Sequence, residues 1–195
     1  MTEVRTVAVI GAGIMGRGIA HAAALGGYRT ILEDLFPNAL RKAKTELRAS
    51  LDQAVELGKV DAAAADAAFS RLEYAGSVDE AAREADLVIE AVPDEMESKL
   101  EIFIMLDKFC RPATILAANT SSLSVSEIAS ATYRAKKCVG MRFSNPVREM
   151  KRLEIVRTLE TDDDTLAAVV EVGKRMGKEV VVIKEAASSP VVSTP

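Results

Sequence analysis

The 195-residue chain has a single histidine, His21, and only two cysteines, Cys110 and Cys138. The cysteines are far apart and match no metal-ligand spacing, and one imidazole is too little for a histidine-based site, so no metal is expected. The thiols read instead as reduced, mostly buried side chains of a cytosolic protein. No basic segment followed by an apolar stretch opens the chain. No uninterrupted apolar run approaches the roughly 20 residues that cross a bilayer. The reading is therefore a cytoplasmic protein with no membrane partner. A net charge of −4 lacks the basic footprint of a general nucleic-acid binder. Phosphate ligands remain open, because backbone amides and a few lysines suffice to hold them. What the chain does have is apolar and charged residue in ordinary proportion, 49% and 28%, with much of the apolar share alanine, which favours long helices.

The pattern along the chain is α/β. Residues 5–10 (RTVAVI) form a β-branched run ending at glycine, the mark of a buried parallel strand. A helix over 14–25 closes at Gly26-Gly27, and 28–34 (YRTILED) gives the next strand, completing a right-handed βαβ unit. Residues 38–72 read as a charged helical pair broken near Gly58, longer than a crossover needs and so a hairpin standing off the sheet. Further strands are expected at 86–92, 114–118, 137–143, 152–158 and 180–183, with a helix over 94–109. Thr161 is expected to cap a last helix that has Asp162, Asp163 and Asp164 at its start and Lys174, Arg175 and Lys178 at its end. These elements predict a Rossmann-type, mostly parallel doubly wound sheet over 1–184, with a helical insertion at about 38–72 and a Ser/Pro-rich tail over 185–195.

The first turn carries chemistry. Gly11-Ala12-Gly13-Ile14-Met15-Gly16 follows a strand and opens a helix, the setting in which GxGxxG signals a dinucleotide. Gly11 permits the tight turn, Gly13 lets backbone approach a pyrophosphate, and Gly16 lets helix and strand pack closely. The unpaired N–H groups of the helix that starts at Ile14 and Met15 then face the phosphates. Asp34 lies eighteen positions after Gly16, near the spacing expected of an acid that binds ribose hydroxyls. Glu33 competes for that role, but strand alternation and the position at the tip favour Asp34. No basic residue follows within six positions to meet a 2′-phosphate, so NAD is favoured over NADP.

Four further stretches extend the picture: 85–92 (ADLVIEAV), 114–122 (TILAANTSS), 140–147 (GMRFSNPV) and 150–156 (MKRLEIV). In combination they resemble the N-terminal domain of the L-3-hydroxyacyl-CoA dehydrogenases, over about residues 4–184. That resemblance implies oxidation of an L-3-hydroxyacyl-CoA to the 3-ketoacyl-CoA, with hydride passing to NAD. It implies that Asp94 and Lys99 approach the cofactor, that Ser121 bonds the substrate oxygen and that Asn145 lies by the nicotinamide. Ser50 and Lys59 would lie near the coenzyme A moiety. Residue type alone gives humbler roles, with Thr120 and Ser121 capping the next short helix and Lys99 a solvated charge.

The family uses a histidine paired with a glutamate as the base. The glutamate corresponds to Glu154, but Arg142 stands where the histidine belongs, and a guanidinium cannot take a proton near neutral pH. The expectation is an ion pair between Arg142 and Glu154, with stabilisation of a developing alkoxide as the other reading. His21, on the helix after the glycine turn, reads as an ordinary helix-face residue. Relatives continue into an all-helical domain that completes the acyl-CoA cleft and makes the dimer contact. Here Ser188-Ser189-Pro190 replaces the expected glycine-containing entry, so the expectation is either that a second copy or a separate chain supplies that wall or that the chain is a truncated product. Two other readings stand beside the dehydrogenase: a module that binds NAD or acyl-CoA without turnover, and a related hydroxy-acid dehydrogenase.

Overall fold

The computed structural model describes residues 3–185. Eight strands form one sheet in the order β3-β2-β1-β4-β5-β6-β7-β8. They are β1 Thr6–Ile10, β2 Arg29–Glu33, β3 Leu72–Ala75, β4 Leu87–Glu90, β5 Ile115–Ala118, β6 Cys138–Phe143, β7 Arg152–Arg157 and β8 Glu179–Lys184. All neighbours are parallel except β6 and β7, which are joined without a helix and pair antiparallel, so the expected doubly wound sheet is observed. The order reverses between β1 and β4, and the crevice outside their carboxyl ends is where such sheets bind ligands.

Helices cover both faces. The helix α1 Ile14–Leu25 packs on one face with α7 Asp163–Arg175, while α4 Val78–Ala82, α5 Met96–Phe109 and α6 Val125–Ser130 cover the other. The inserted pair is α2 Pro37–Glu56 and α3 Ala62–Ser70, separated at Gly58, whose φ of +66° only glycine adopts freely. It stands off the sheet as an outer layer: Ala43, Leu47, Leu51, Ala65 and Ala68 are buried in the cluster that holds Ile19 and Ala23 of α1.

Several local expectations change. The helical reading to residue 72 ends earlier, because Leu72 begins β3, and Ser77 then caps α4 by accepting from the Glu80 N–H. Asp162, not Thr161, caps α7, taking the Thr165 N–H at 2.7 Å. Thr161 is committed elsewhere, accepting from the Thr158 N–H and donating to the Cys138 carbonyl at 2.8 Å. Glu185, read as the start of a tail, is pinned: its carboxylate accepts the Val125 and Ser126 N–H groups at the start of α6. The rest of that segment, 186–195, lies outside the described residues.

Candidate cofactor and reaction site

A cavity of about 800 Å³ opens at the carboxyl ends of β1, β2, β4 and β5. Its walls include Gly11, Gly13, Ile14, Met15, Glu33 and Asp34 at one end and Asp94, Ser121, Arg142 and Asn145 at the other. The three glycines differ in why each is small. Gly11 has φ +97°; a Cβ on Gly16 would lie 1.7 Å from the Gly11 carbonyl oxygen; a Cβ on Gly13 would meet no protein atom within 4 Å. Gly16 is therefore small because helix and turn touch, whereas Gly13 faces open cleft. No side chain caps α1 and no acid occupies its first turn, so its N–H groups are left for a ligand. A dinucleotide pyrophosphate fits this cradle.

Asp34 also shapes the turn. One carboxylate oxygen accepts from the Ala12 N–H at 3.0 Å and the other from the Phe36 N–H at 2.9 Å, which leaves lone pairs for further donors. Glu33 lies in the same cavity wall, 2% exposed, with Oε1 unpartnered. Burial, reinforced by the neighbouring Asp34 charge, pushes its carboxyl up to about 7 against the Gly11 N–H, which favours ionisation.

At the other end, Asp94 gathers the 119–122 loop. Its carboxylate accepts from the Ser121 N–H and Oγ, both at 3.4 Å, and from Ser122 Oγ at 3.2 Å. Burial would raise the Asp94 carboxyl, but hydrogen bonds from Thr120, Ser121 and Ser122 and the Lys99 charge hold it below its ordinary value. Thr120 Oγ1 accepts from the Leu123 N–H at 3.0 Å, while the cap of α6 is Ser124, so neither Thr120 nor Ser121 caps that helix.

Lys99 is neither a solvated charge nor a cavity wall. It is fully buried, with Nζ 2.8 and 2.9 Å from the two oxygens of buried Glu90 and 3.1 Å from the Asn119 carbonyl. It stands 3.8 Å from Asp94, beneath the floor that Ala91, Val92 and Asn119 present to the cavity. Glu90 escaped the sequence reading because it sits inside an apolar strand. An acid there must be buried and paired, which was the available signal.

Arg142 and Glu154 are cross-strand partners in the β6–β7 register, yet they form no ion pair. Arg152, two residues before Glu154 and on the same face of β7, holds its carboxylate at 2.7 Å instead. The expected Arg142–Glu154 pair is thus replaced, and Glu154 does not line the cavity. Arg142 does, with Nε buried and without a hydrogen-bond partner.

A second cavity of about 710 Å³ shares Ile14 and Asn145 with the first. On its wall Ser50 Oγ lies 3.0 Å from His21 Nδ1 and accepts from Arg148 Nη1 at 3.0 Å, and Arg148 also reaches Gln53 at 3.0 Å. Burial, with the Arg148 and Lys178 charges, lowers His21 to about 4. Nothing in the sequence points to this triad, because packing alone brings together α1, α2 and the segment between β6 and β7 that carries Arg148. Lys59 is exposed just after α2 and lines neither cavity.

Both cysteines are free and buried. Burial raises Cys110 to about 12 and Cys138 to about 11, so neither offers a thiolate. Among the described residues no cluster could hold a metal ion, and no helix is long and apolar enough to cross a membrane.

Known proteins resemble this chain over most of its length. Residues 6–186 match the family described as "3-hydroxyacyl-CoA dehydrogenase, NAD binding domain". The chain is 38% identical over 183 residues to a probable 3-hydroxybutyryl-CoA dehydrogenase of Bacillus subtilis, covering 94% of this chain and 63% of that protein. It is 37% identical to the 3-hydroxybutyryl-CoA dehydrogenase of Bradyrhizobium diazoefficiens, covering 93% and 62%. The crystal structure of (S)-3-hydroxybutyryl-CoA dehydrogenase from Ralstonia eutropha superposes with a TM-score of 0.90 at 35% identity, covering 94% and 65%. The chain thus spans a little under two thirds of the length of the curated relatives it matches. A Rossmann sheet with the glycine cradle at its switch point, matched over nearly all of its length, places this chain in the 3-hydroxyacyl-CoA dehydrogenase family, as its NAD-binding domain.

Proposed function

We propose that this domain serves an NAD-dependent oxidoreductase of the 3-hydroxyacyl-CoA dehydrogenase type, which converts L-3-hydroxyacyl-CoA and NAD to 3-ketoacyl-CoA, NADH and a proton. One observation carries the reading: a single cleft runs from the glycine turn past Asp94 to Ser121, Arg142 and Asn145. Gly13 and the start of α1 hold the pyrophosphate, Asp34 the ribose hydroxyls, and Asn145 sits by the nicotinamide. When bound, NAD supplies the hydride acceptor. Ser121 holds the substrate oxygen, and the adjoining cavity with Ser50 and Arg148 takes the acyl-CoA side. The buried free thiols fit a reducing, cytoplasmic setting. We infer a second copy or a separate chain as the partner on the acyl-CoA side of this domain.

Arg142 favours a second reading, a module that binds NAD and acyl-CoA without turning over. A lost general base typically costs about 10²–10⁴ in rate, and neither Arg142 nor the ion-paired Glu154 replaces it. NADH formation from NAD and L-3-hydroxybutyryl-CoA separates the two when parent, Arg142→His and Ser121→Ala proteins are compared. The expected result is NAD binding at roughly micromolar concentration, a value ordinary for enzyme sites, little parent turnover, and a gain of at least about tenfold in Arg142→His, within the range of a restored base. Vigorous parent turnover that Ser121→Ala abolishes rules out the binding module. Absence of NAD binding overturns both readings.

A further inference from the structure

Arg142 is the one arginine among the described residues that makes neither a hydrogen bond nor an ion pair. Every other finds a carboxylate, an amide or hydroxyl oxygen, or a backbone carbonyl. Arg142 is only partly exposed, and its Nε is sealed from solvent. A guanidinium is always charged, carries five donors and no acceptor, and leaving a buried donor unmet is costly. The candidate counterions are all occupied or held away. Glu154 belongs to Arg152, Asp94 to the Ser121–Ser122 loop with Lys99 beneath it, and Asp34 to the Ala12 and Phe36 N–H groups. Glu33 lines the opposite, glycine-turn end of the cleft and forms no pair with Arg142.

The neighbouring amide reinforces this donor character. Asn119 Oδ1 accepts the Phe143 N–H at 3.1 Å, which fixes the amide orientation and turns its NH₂ group to other partners. Asn119, Arg142 and Asn145 all line the same cavity. That end of the cleft therefore presents a planar cationic fork and an amide donor, a set that matches a carboxylate.

We propose that the Arg142 end of the cleft is a receptor for a small carboxylate-bearing molecule, bound together with the cofactor, its free carboxylate meeting the two Nη groups that the sealed Nε leaves facing the cleft. The inference rests on NAD occupying the glycine-turn end. It names a ligand class that a neutral thioester does not satisfy, and it makes Arg142 a specificity-determining residue. An oxidised nicotinamide is itself cationic, so a carboxylate at Arg142 also offsets like-charge repulsion in the NAD complex, more than in the NADH complex.

The test uses the purified chain saturated with NADH, titrated with acetoacetate and, in parallel, with its uncharged methyl ester, by calorimetry or NADH fluorescence. Acetoacetate is expected to bind at least about tenfold more tightly than the ester, the order of a charge-assisted bidentate pair. Arg142→Gln should remove that preference, and Arg142→Lys, which keeps the charge but not the fork, should retain part of it. Thermal melting and NADH affinity establish that each variant is folded. Equal binding of acid and ester, or a preference that survives Arg142→Gln, overturns the inference while leaving cofactor binding intact. Failure to bind NADH at all overturns the cofactor reading and this inference with it.

Discussion

Replacing Lys99 with methionine tests whether the floor of the cleft is held by a buried ion pair. Lys99 and Glu90 are both 0% exposed, and Nζ bridges the two carboxylate oxygens at 2.8 and 2.9 Å. Methionine fills similar volume but removes the charge, leaving Glu90 with only the Val92 N–H at 2.7 Å. Removing one member of a buried pair costs about 3–5 kcal/mol, because the other is left as an unpaired buried charge. For a chain of this length each kcal/mol lowers the melting temperature by about 2–4 °C, so Lys99→Met should melt about 6–20 °C below the parent. The pH dependence has a definite sign. Burial already pushes the Glu90 carboxyl up and Lys99 pulls it down, so losing Lys99 raises it further. A carboxyl raised in the folded state binds more protons folded than unfolded, and stability is lost as pH rises through the folded value. The variant should therefore lose more stability at pH 8 than at pH 5. Glu90→Met combined with Lys99→Met removes both charges and should recover most of the loss. Calorimetric melts across that pH range check all three points. A single variant within about 1 kcal/mol of the parent, well under the cost of an orphaned charge, would refute the reasoning. So would a double variant no more stable than Lys99→Met.

Gly13→Ala adds a Cβ that meets no protein atom and should change the melting temperature by only a few degrees, in line with an N-cap change of about 1 kcal/mol. It should nonetheless weaken NAD binding by more than about tenfold, the effect of blocking a close backbone approach; Gly16→Ala, forced against the Gly11 carbonyl, should lower stability and NAD affinity together. His21, the one histidine, should titrate by NMR near 4, and because its folded value lies below the ordinary 6.5, His21→Gln should remove stability loss as pH falls from 6.5 towards 4. Glu33, at about 7 in the folded chain against an ordinary 4.5, contributes stability that is lost as pH rises through 7. Glu33→Gln should therefore gain on the parent in melts from pH 6 to 8.5, by about 1–3 kcal/mol at the alkaline end; a constant difference would refute the assignment.

What could be read from the chain alone follows from how local each signal is. The α1 bounds are legible because glycines punctuate both ends, and the Asp34 position because a strand tip follows at fixed spacing. β3 was not legible: four residues, LEYA, with only the outer two buried, carry too little periodicity to break a helical reading. The α7 cap is ambiguous by one residue in the sequence because Thr161 and Asp162 are both good caps, and only the tertiary bond from Thr161 to Cys138 decides between them. The site divides in the same way. The cradle is contiguous sequence, whereas the Glu90–Lys99 pair, the His21–Ser50–Arg148 group and the diversion of Glu154 to Arg152 depend on which elements pack together.

Arg142 shows how the two kinds of information combine. Its residue type alone excludes it as a proton acceptor, and the resemblance locates it at the reacting end of the cleft. An arginine opposite a glutamate on paired strands should then simply neutralise it, giving an inert structural pair. Arg152 removes that outcome, because a nearer cation on the same strand takes the carboxylate first. The charge at Arg142 is consequently left to the cleft, and on the two proposals made above the residue that cannot accept a proton is the same one that would meet an anion.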